Sequence, residues 1–148
     1  MKHSKCLLFL PLFFSFSACS QQTSETEPTS FEPTTSSHSY DEVREFELMW
    51  ETMFDVDLDN YYIYFYSTTC NHCEDLKNYI IEKALTEENI YFIRGSSKDQ
   101  IGKDPKMSKY AENPGDIWIL GYPSLLEIID HKCMKNLAGI SQIKGELK

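Results

Sequence analysis

Apolar residues at helical spacing predict two amphipathic helices after residue 40. Those of the first helix lie between about 41 and 54 and are Val43, Phe46, Met49, Trp50, Met53 and Phe54. Ser39 and Glu42 precede them in the arrangement of a capping box, with Ser39 as the N-cap. Those of the second helix are Leu76, Ile80, Ile81, Ala84 and Leu85, and this helix is expected to end near residue 88.

Shorter apolar runs predict four β-strands. The run 61–66 consists of aromatic and β-branched residues, which is typical of a strand buried on both faces. Further strands are predicted at 90–94, 124–129 and 133–137, and the last two are joined by a tight connection at 130–132. We therefore expect the last two strands to form an antiparallel hairpin.

The order of the elements predicts an α/β fold. A helix links the first two strands, so they should be parallel with a right-handed crossover. A short helix is expected around 106–112, followed by a turn at 113–115, and a last helix begins at Ser141. The expected architecture is a central mixed four-stranded sheet flanked by helices, formed by residues 40–148.

The first 18 residues have the pattern of an export signal. Lys2 and Lys5 give a positive start, residues 7–16 are largely apolar, and small residues follow. The apolar stretch is shorter than the roughly 20 residues of a transmembrane helix. The pattern predicts export from the cytoplasm and removal of residues 1–18.

The residues around the expected cleavage site predict lipidation. Phe16-Ser17-Ala18-Cys19 resembles the bacterial lipobox, although its first residue is usually Leu. The resemblance implies that Cys19 is lipidated and anchors the protein to the cell membrane, facing outside the cytoplasm. An ordinary secretory signal that leaves Cys19 as a free thiol is the alternative. Residues 19–39 are rich in Ser and Thr and are expected to be a disordered linker.

The charge of the chain excludes some partners. The net charge is −9 at pH 7, with 14 basic and 23 acidic residues. Such a chain offers no basic surface for nucleic acid. It is also not attracted electrostatically to anionic lipid, so any attachment to the membrane is expected to come from the lipid on Cys19.

The motif Cys70-Asn71-His72-Cys73 carries the candidate chemistry, because it lies between a buried strand and the start of a helix. Unpaired backbone N–H groups and the helix dipole favour an anion there, so Cys70 is predicted to be the attacking thiolate. Cys73, one turn later, is the predicted resolving thiol. His72 lies between them, and a protonated imidazole there would stabilise the Cys70 thiolate further.

These features resemble the thioredoxin family. Tyr64-Phe65-Tyr66 followed by the Cys-x-x-Cys motif has that family's strand and motif order, and three later turns match in position. These turns are Asn113-Pro114-Gly115, Gly121-Tyr122-Pro123-Ser124 and Gly139-Ile140-Ser141. The resemblance covers about 60–148. It implies a thioredoxin-like fold, a cis-proline at Pro123, and a Tyr122 backbone that pairs with bound substrate.

The sequence departs from the family in two places. Thr69 stands where a Trp usually precedes the first Cys, and Tyr64 stands where the family often has a buried carboxylate. That carboxylate takes the proton from the resolving thiol. In this chain either water, Glu74 or Asp75 takes its place, or release of the thiol is slow.

We therefore expect a membrane-anchored, extracytoplasmic thiol–disulfide oxidoreductase whose partners are protein thiols and disulfides, together with a membrane redox partner. No cofactor is expected, and the direction of exchange is open. One alternative is a non-catalytic binding lipoprotein with the same fold, such as an accessory factor in peptide export. Another is a zinc site that joins His131 and Cys133 to Cys70 and Cys73, although Cys133 is more often a buried apolar side chain.

Overall fold

The computed structural model describes residues 37–86 and 89–148, and its central strand is strongly aromatic. Strand β1 spans Asn60–Tyr66. Its side chains alternate between two core layers, one on each face of the sheet. Those on the first face are Tyr62, Tyr64 and Tyr66, and those on the second are Tyr61, Ile63 and Phe65. The prediction of a strand buried on both faces is confirmed.

Three further strands complete the sheet. Strand β2, at Ile90–Arg94, runs parallel to β1, whereas β3, at Ser124–Ile129, runs antiparallel to it. Strand β4, at Lys132–Ala138, is antiparallel to β3. The order across the sheet is β2-β1-β3-β4. The parallel pair and the antiparallel hairpin were both predicted from the sequence and are confirmed.

Two α-helices pack against this sheet. Helix α1 spans Asn71–Thr86 and connects β1 to β2, and helix α2 spans Ile140–Glu146. Leu76 and Ile80 of α1 and Ile143 of α2 lie in the same core layer on the first face of the sheet. With these helices and the mixed sheet, the chain has a thioredoxin-like α/β fold, as the sequence predicts.

The segment before β1 differs from the prediction of one helix over 41–54. It forms two short 3₁₀ helices, at Tyr40–Phe46 and Trp50–Thr52. Between them the chain is extended: Glu47 forms a parallel bridge with Phe92, and the Leu48 N–H donates to the Phe92 carbonyl at 2.8 Å. Because β2 is an edge strand, its outer backbone groups need partners, and pairing with them interrupts the helix.

The capping box ahead of this segment is present as predicted. The Ser39 side chain accepts from the Asp41 N–H at 3.3 Å, and the Glu42 carboxylate accepts from the Ser39 N–H at 2.6 Å. The cap therefore fixes where the first 3₁₀ helix begins, although it does not determine its length.

The chain between β2 and β3 contains two short 3₁₀ turns, at Pro105–Ser108 and Pro114–Asp116, instead of one helix around 106–112. Buried Asn136 of β4 holds this region on the sheet by donating to the Trp118 carbonyl at 2.7 Å. The Ser108 hydroxyl accepts from the Trp118 N–H at 2.8 Å. These bonds fix an irregular segment without a continuous helix.

The predicted export signal, the predicted lipidation site at Cys19 and most of the predicted linker lie outside the described residues. Among the residues that are described, no helix combines the length and apolar character needed to cross a membrane.

Candidate active site

Cys70 caps the N-terminus of α1. The turn Ser67–Thr69 leads from β1 to this position, and the Cys70 N–H donates to the Ser67 carbonyl at 3.2 Å. The Cys70 sulfur accepts from the Cys73 N–H at 3.1 Å, which is the bond a side chain makes when it caps a helix. A sulfur anion at this point would receive a backbone N–H and the positive end of the helix dipole.

The Tyr122–Pro123 turn meets the same sulfur. Its peptide bond is cis, as the resemblance implies, and Pro123 is buried at the start of β3. The Cys70 thiol donates to the Tyr122 carbonyl at 3.4 Å. The structure therefore brings Cys70, Tyr122 and Pro123 together across 52 positions of sequence.

The two cysteines of the motif have different surroundings. Both are free thiols; Cys70 is partly exposed, whereas Cys73 is completely buried. Burial, together with its hydrogen bond with Cys70, raises the pKa of the Cys73 thiol to about 12. Of the two thiols, Cys70 is the one accessible to a large substrate, an arrangement that would allow Cys70 to attack and Cys73 to resolve.

The His72 side chain lies at the surface, beside Asp75. Its side chain is 74% exposed, and its Nδ1 is 3.8 Å from a carboxylate oxygen of Asp75. The Asp75 carboxylate is therefore the charged group that faces the His72 ring. A direct effect of His72 on the Cys70 thiolate therefore stays a prediction.

Neither acidic residue beside the motif reaches the buried thiol. Glu74 is 68% exposed and pairs with Lys77 at 2.5 Å, and Asp75 faces His72. The polar side chains next to Cys73 are instead two tyrosines. Tyr64 lies in the same buried core layer, and the Tyr40 hydroxyl donates to the Cys73 carbonyl at 3.3 Å.

Sequence reasoning identified the position of Tyr64 but missed Tyr40. Tyr40 lies 33 residues before Cys73, and only the capping box at Ser39 draws attention to its surroundings. Its ring stacks on Tyr66 with centroids 3.9 Å apart, which brings its hydroxyl over the start of α1.

Asp99 is a second residue that the sequence did not single out. Its carboxylate accepts a short hydrogen bond from the Tyr122 hydroxyl. Burial and this hydrogen bond both raise the pKa of Tyr122 above its usual value, so the phenol stays protonated as a donor. The Tyr122 ring also fills the space next to Gly95. The loop after β2 therefore supports the turn that faces Cys70.

The four side chains of the alternative zinc site do not lie together in the structure. Cys133 is buried in the core layer on the other face of the sheet from Cys70 and Cys73. His131 lies in the exposed hairpin turn, with its Nδ1 3.2 Å from the Phe54 carbonyl oxygen. Within residues 37–86 and 89–148, no group of three or more His, Cys, Asp or Glu side chains is placed to hold a metal ion.

A polar cleft of about 500 Å³ opens beside the turn before Cys70. Ser67, Thr68, Glu74 and Lys77 contribute to its wall, but neither cysteine of the motif does. The cleft therefore lies beside the Cys70–Cys73 pair, but neither thiol lines it.

Similarity to known proteins is found among solved structures. No protein-family model and no curated protein matches the sequence. A solved structure of thioredoxin f2 from Chlamydomonas reinhardtii is similar, with 11% sequence identity and a TM-score of 0.44. The similarity covers 68% of this chain and 88% of that chain. The fold assignment given above follows from the strand order and directions of this chain itself.

Proposed function

We propose that this chain is an extracytoplasmic thiol–disulfide oxidoreductase that exchanges disulfides with protein thiols and is anchored to the membrane by a lipid on Cys19. The observation that carries the redox part is the asymmetry of the pair. The Cys70 sulfur caps α1 and is partly exposed, while Cys73 is buried one turn behind it.

The exchange consists of two steps. The Cys70 thiolate attacks one sulfur of a substrate disulfide, forms a mixed disulfide and releases the other sulfur as a thiolate. Cys73, once deprotonated, then attacks the Cys70 sulfur, which forms the Cys70–Cys73 disulfide and releases the second substrate thiolate. The released thiolates take up protons. The same steps in reverse oxidise a substrate dithiol.

The Tyr122 backbone is the proposed binding element for the substrate. Its carbonyl oxygen already lies 3.4 Å from the Cys70 sulfur, so a substrate strand that pairs with it would have its own sulfur close to Cys70. The site then recognises main chain next to a disulfide, which suits protein substrates of varied sequence.

The N-terminal sequence supports the proposed location. A positive segment, an apolar segment and small residues follow one another and end at Cys19, and this order favours export and lipidation. The net charge of −9 does not suit electrostatic attachment to anionic lipid, so the anchor would have to be a lipid. Intact mass of the protein extracted from membranes would test this. A mass increase that is lost in Cys19→Ser supports lipidation, and an unmodified, secreted chain contradicts it.

The reduction potential of the Cys70–Cys73 pair tests the redox proposal. The chain is equilibrated in graded redox buffers, and the state of the Cys70–Cys73 peptide is measured by mass spectrometry. A potential of about −120 mV makes the protein a disulfide donor, and one of about −270 mV makes it a reductant that needs electrons from a membrane partner. Cys133→Ser is the matched control and should leave the potential unchanged, because Cys133 lies on the other face of the sheet.

Cys70→Ser should abolish exchange with a disulfide-bonded protein substrate. Undiminished exchange in this variant, or the absence of any reversible dithiol couple in the unsubstituted chain, would contradict the enzymatic proposal. The second of these results would leave a non-catalytic binding protein of the same fold.

A further inference from the structure

The Tyr64 hydroxyl is an unusual polar group in the core. The Tyr64 side chain is completely buried, and no described residue gives its hydroxyl a hydrogen bond of normal geometry. A buried hydroxyl without a good partner costs free energy, and native proteins rarely retain one without a reason. Tyr66 on the same strand shows the contrast, because its hydroxyl donates to Glu47 at 2.5 Å.

The surroundings of the Tyr64 hydroxyl suggest that reason. The groups that interact with it include the Cys73 thiol, in the same buried layer, and the Tyr40 hydroxyl, which packs against that layer. Tyr40 already donates its own proton to the Cys73 carbonyl at 3.3 Å. The Tyr40 oxygen and the Cys73 sulfur are therefore two acceptors that compete for the Tyr64 proton.

The resolving step needs such a donor. Cys73 must become an anion before it attacks, but burial raises the pKa of its thiol to about 12. Burial also raises the pKa of Tyr64 far above its usual value, so its hydroxyl stays protonated and acts as a donor rather than a base. The Ser67 N–H also lies towards the Cys73 sulfur, as a backbone donor that side-chain substitution leaves in place.

We propose that the Tyr64 hydroxyl donates a hydrogen bond to the Cys73 thiolate while this sulfur attacks the mixed disulfide at Cys70. The proposal rests on the thiol–disulfide exchange proposed above. In the step, the Cys73 S–H loses its proton, the Cys70–Cys73 bond forms, and the bond from Cys70 to the substrate sulfur breaks. The departing substrate thiolate gains a proton, so none is gained or lost overall, and Tyr64 keeps its own.

The test measures the two steps of exchange separately in the full chain. Reduced protein is mixed with a disulfide-bonded protein substrate, and the mixed disulfide at Cys70 is followed in single-turnover samples by peptide mass spectrometry. Cys73→Ser, which cannot resolve, gives the reference signal for the mixed disulfide. In Tyr64→Phe, we expect formation of the mixed disulfide to be unchanged and its resolution to slow about tenfold or more, as for a lost hydrogen bond to a charged group.

The pH profile distinguishes this role from a structural one. The resolution rate of the unsubstituted chain should rise with pH, because more Cys73 becomes thiolate. That of Tyr64→Phe should rise in parallel but lie lower at each pH. The melting temperature of Tyr64→Phe should be unchanged or higher, since the variant loses only an unsatisfied hydroxyl.

Two matched variants complete the design. Tyr66→Phe removes a hydroxyl from the same face of β1 without affecting Cys73, so its resolution rate should equal that of the unsubstituted chain. Tyr40→Phe removes the competing neighbour of Tyr64 and should resolve at least as fast, which keeps the proposal testable if Tyr64→Phe does not fold. If Tyr64→Phe resolves normally, or Tyr40→Phe is slowed, the role of Tyr64 is refuted while the exchange itself stands. If the unsubstituted chain forms no mixed disulfide, the proposed function fails first.

Discussion

The contact between Gly95 and Tyr122 provides a quantitative test of how the cis-proline turn is held. A Cβ atom at position 95 would lie only 2.5 to 2.7 Å from the Cζ, Oη and Cε1 atoms of Tyr122. Carbon atoms in contact are normally about 3.5–4.0 Å apart, so in Gly95→Ala the ring has to retreat by about 1 Å. The retreat pulls the Tyr122 hydroxyl away from Asp99.

The cost follows from that lost hydrogen bond. A hydrogen bond to a charged group contributes about 1.5–3 kcal/mol, and the lower end applies here because both partners are only partly buried. Replacing Gly by Ala also restricts the unfolded chain, which stabilises the protein by about 0.4–1 kcal/mol. We therefore expect Gly95→Ala to lower the free energy of unfolding by about 1 kcal/mol. We also expect slower attack by Cys70, because the Tyr122 carbonyl faces its sulfur.

Urea unfolding of the single and double variants checks this reasoning. In a Tyr122→Ala background the clash is absent, so Gly95→Ala should become neutral or slightly stabilising. Gly115→Ala is the control, because a Cβ at position 115 meets nothing within 4 Å. A loss of stability in Gly95→Ala that is equally large with and without the Tyr122 ring would refute the proposed contact.

Two further predictions concern stability. Burial raises the pKa of the Cys133 thiol to about 12, while a thiol in the unfolded chain titrates near 9.0. As pH rises above about 9 the unfolded state alone loses this proton, so stability should fall by up to about 1.4 kcal/mol per pH unit for this thiol. In Cys133→Ala, the free energy of unfolding from urea titrations should fall less steeply with pH above about 9. The same pH dependence in both proteins would contradict the raised pKa of Cys133. Asn136→Ala should lower the free energy of unfolding by about 1 kcal/mol, since it removes one donor to the part-buried Trp118 carbonyl and leaves the Ser108 hydroxyl as the other; a calorimetric loss below about 0.5 kcal/mol would show that water replaces the amide.

The periodic parts of this chain were predictable from its sequence. β2 has the predicted bounds and β1 is one residue longer, because alternating or continuous apolar runs leave only one way to bury their side chains. The hairpin between β3 and β4 was also predictable. Asp130 and His131 both adopt positive φ angles in its two-residue turn, as tight hairpins require.

The segment before β1 shows where sequence reasoning fails. Its apolar spacing is helical, yet its backbone turns away to pair with Phe92. Local periodicity carries no information about a partner 45 positions later, and the edge strand outweighs a modest helix preference.

The candidate active site also has some features that the sequence predicts and others that it does not. The sequence by itself determined the thiol pair and its position at a helix start, because these depend on local spacing and on the demands of a helix N-terminus. The cis-proline turn was implied by the resemblance to the thioredoxin family and not by spacing. Only the tertiary structure decided which groups surround each sulfur. It directs Glu74 and His72 towards solvent and buries Tyr64 beside Cys73. The environment of a buried thiol depends on side chains that meet across the core, and spacing along the chain does not specify those contacts.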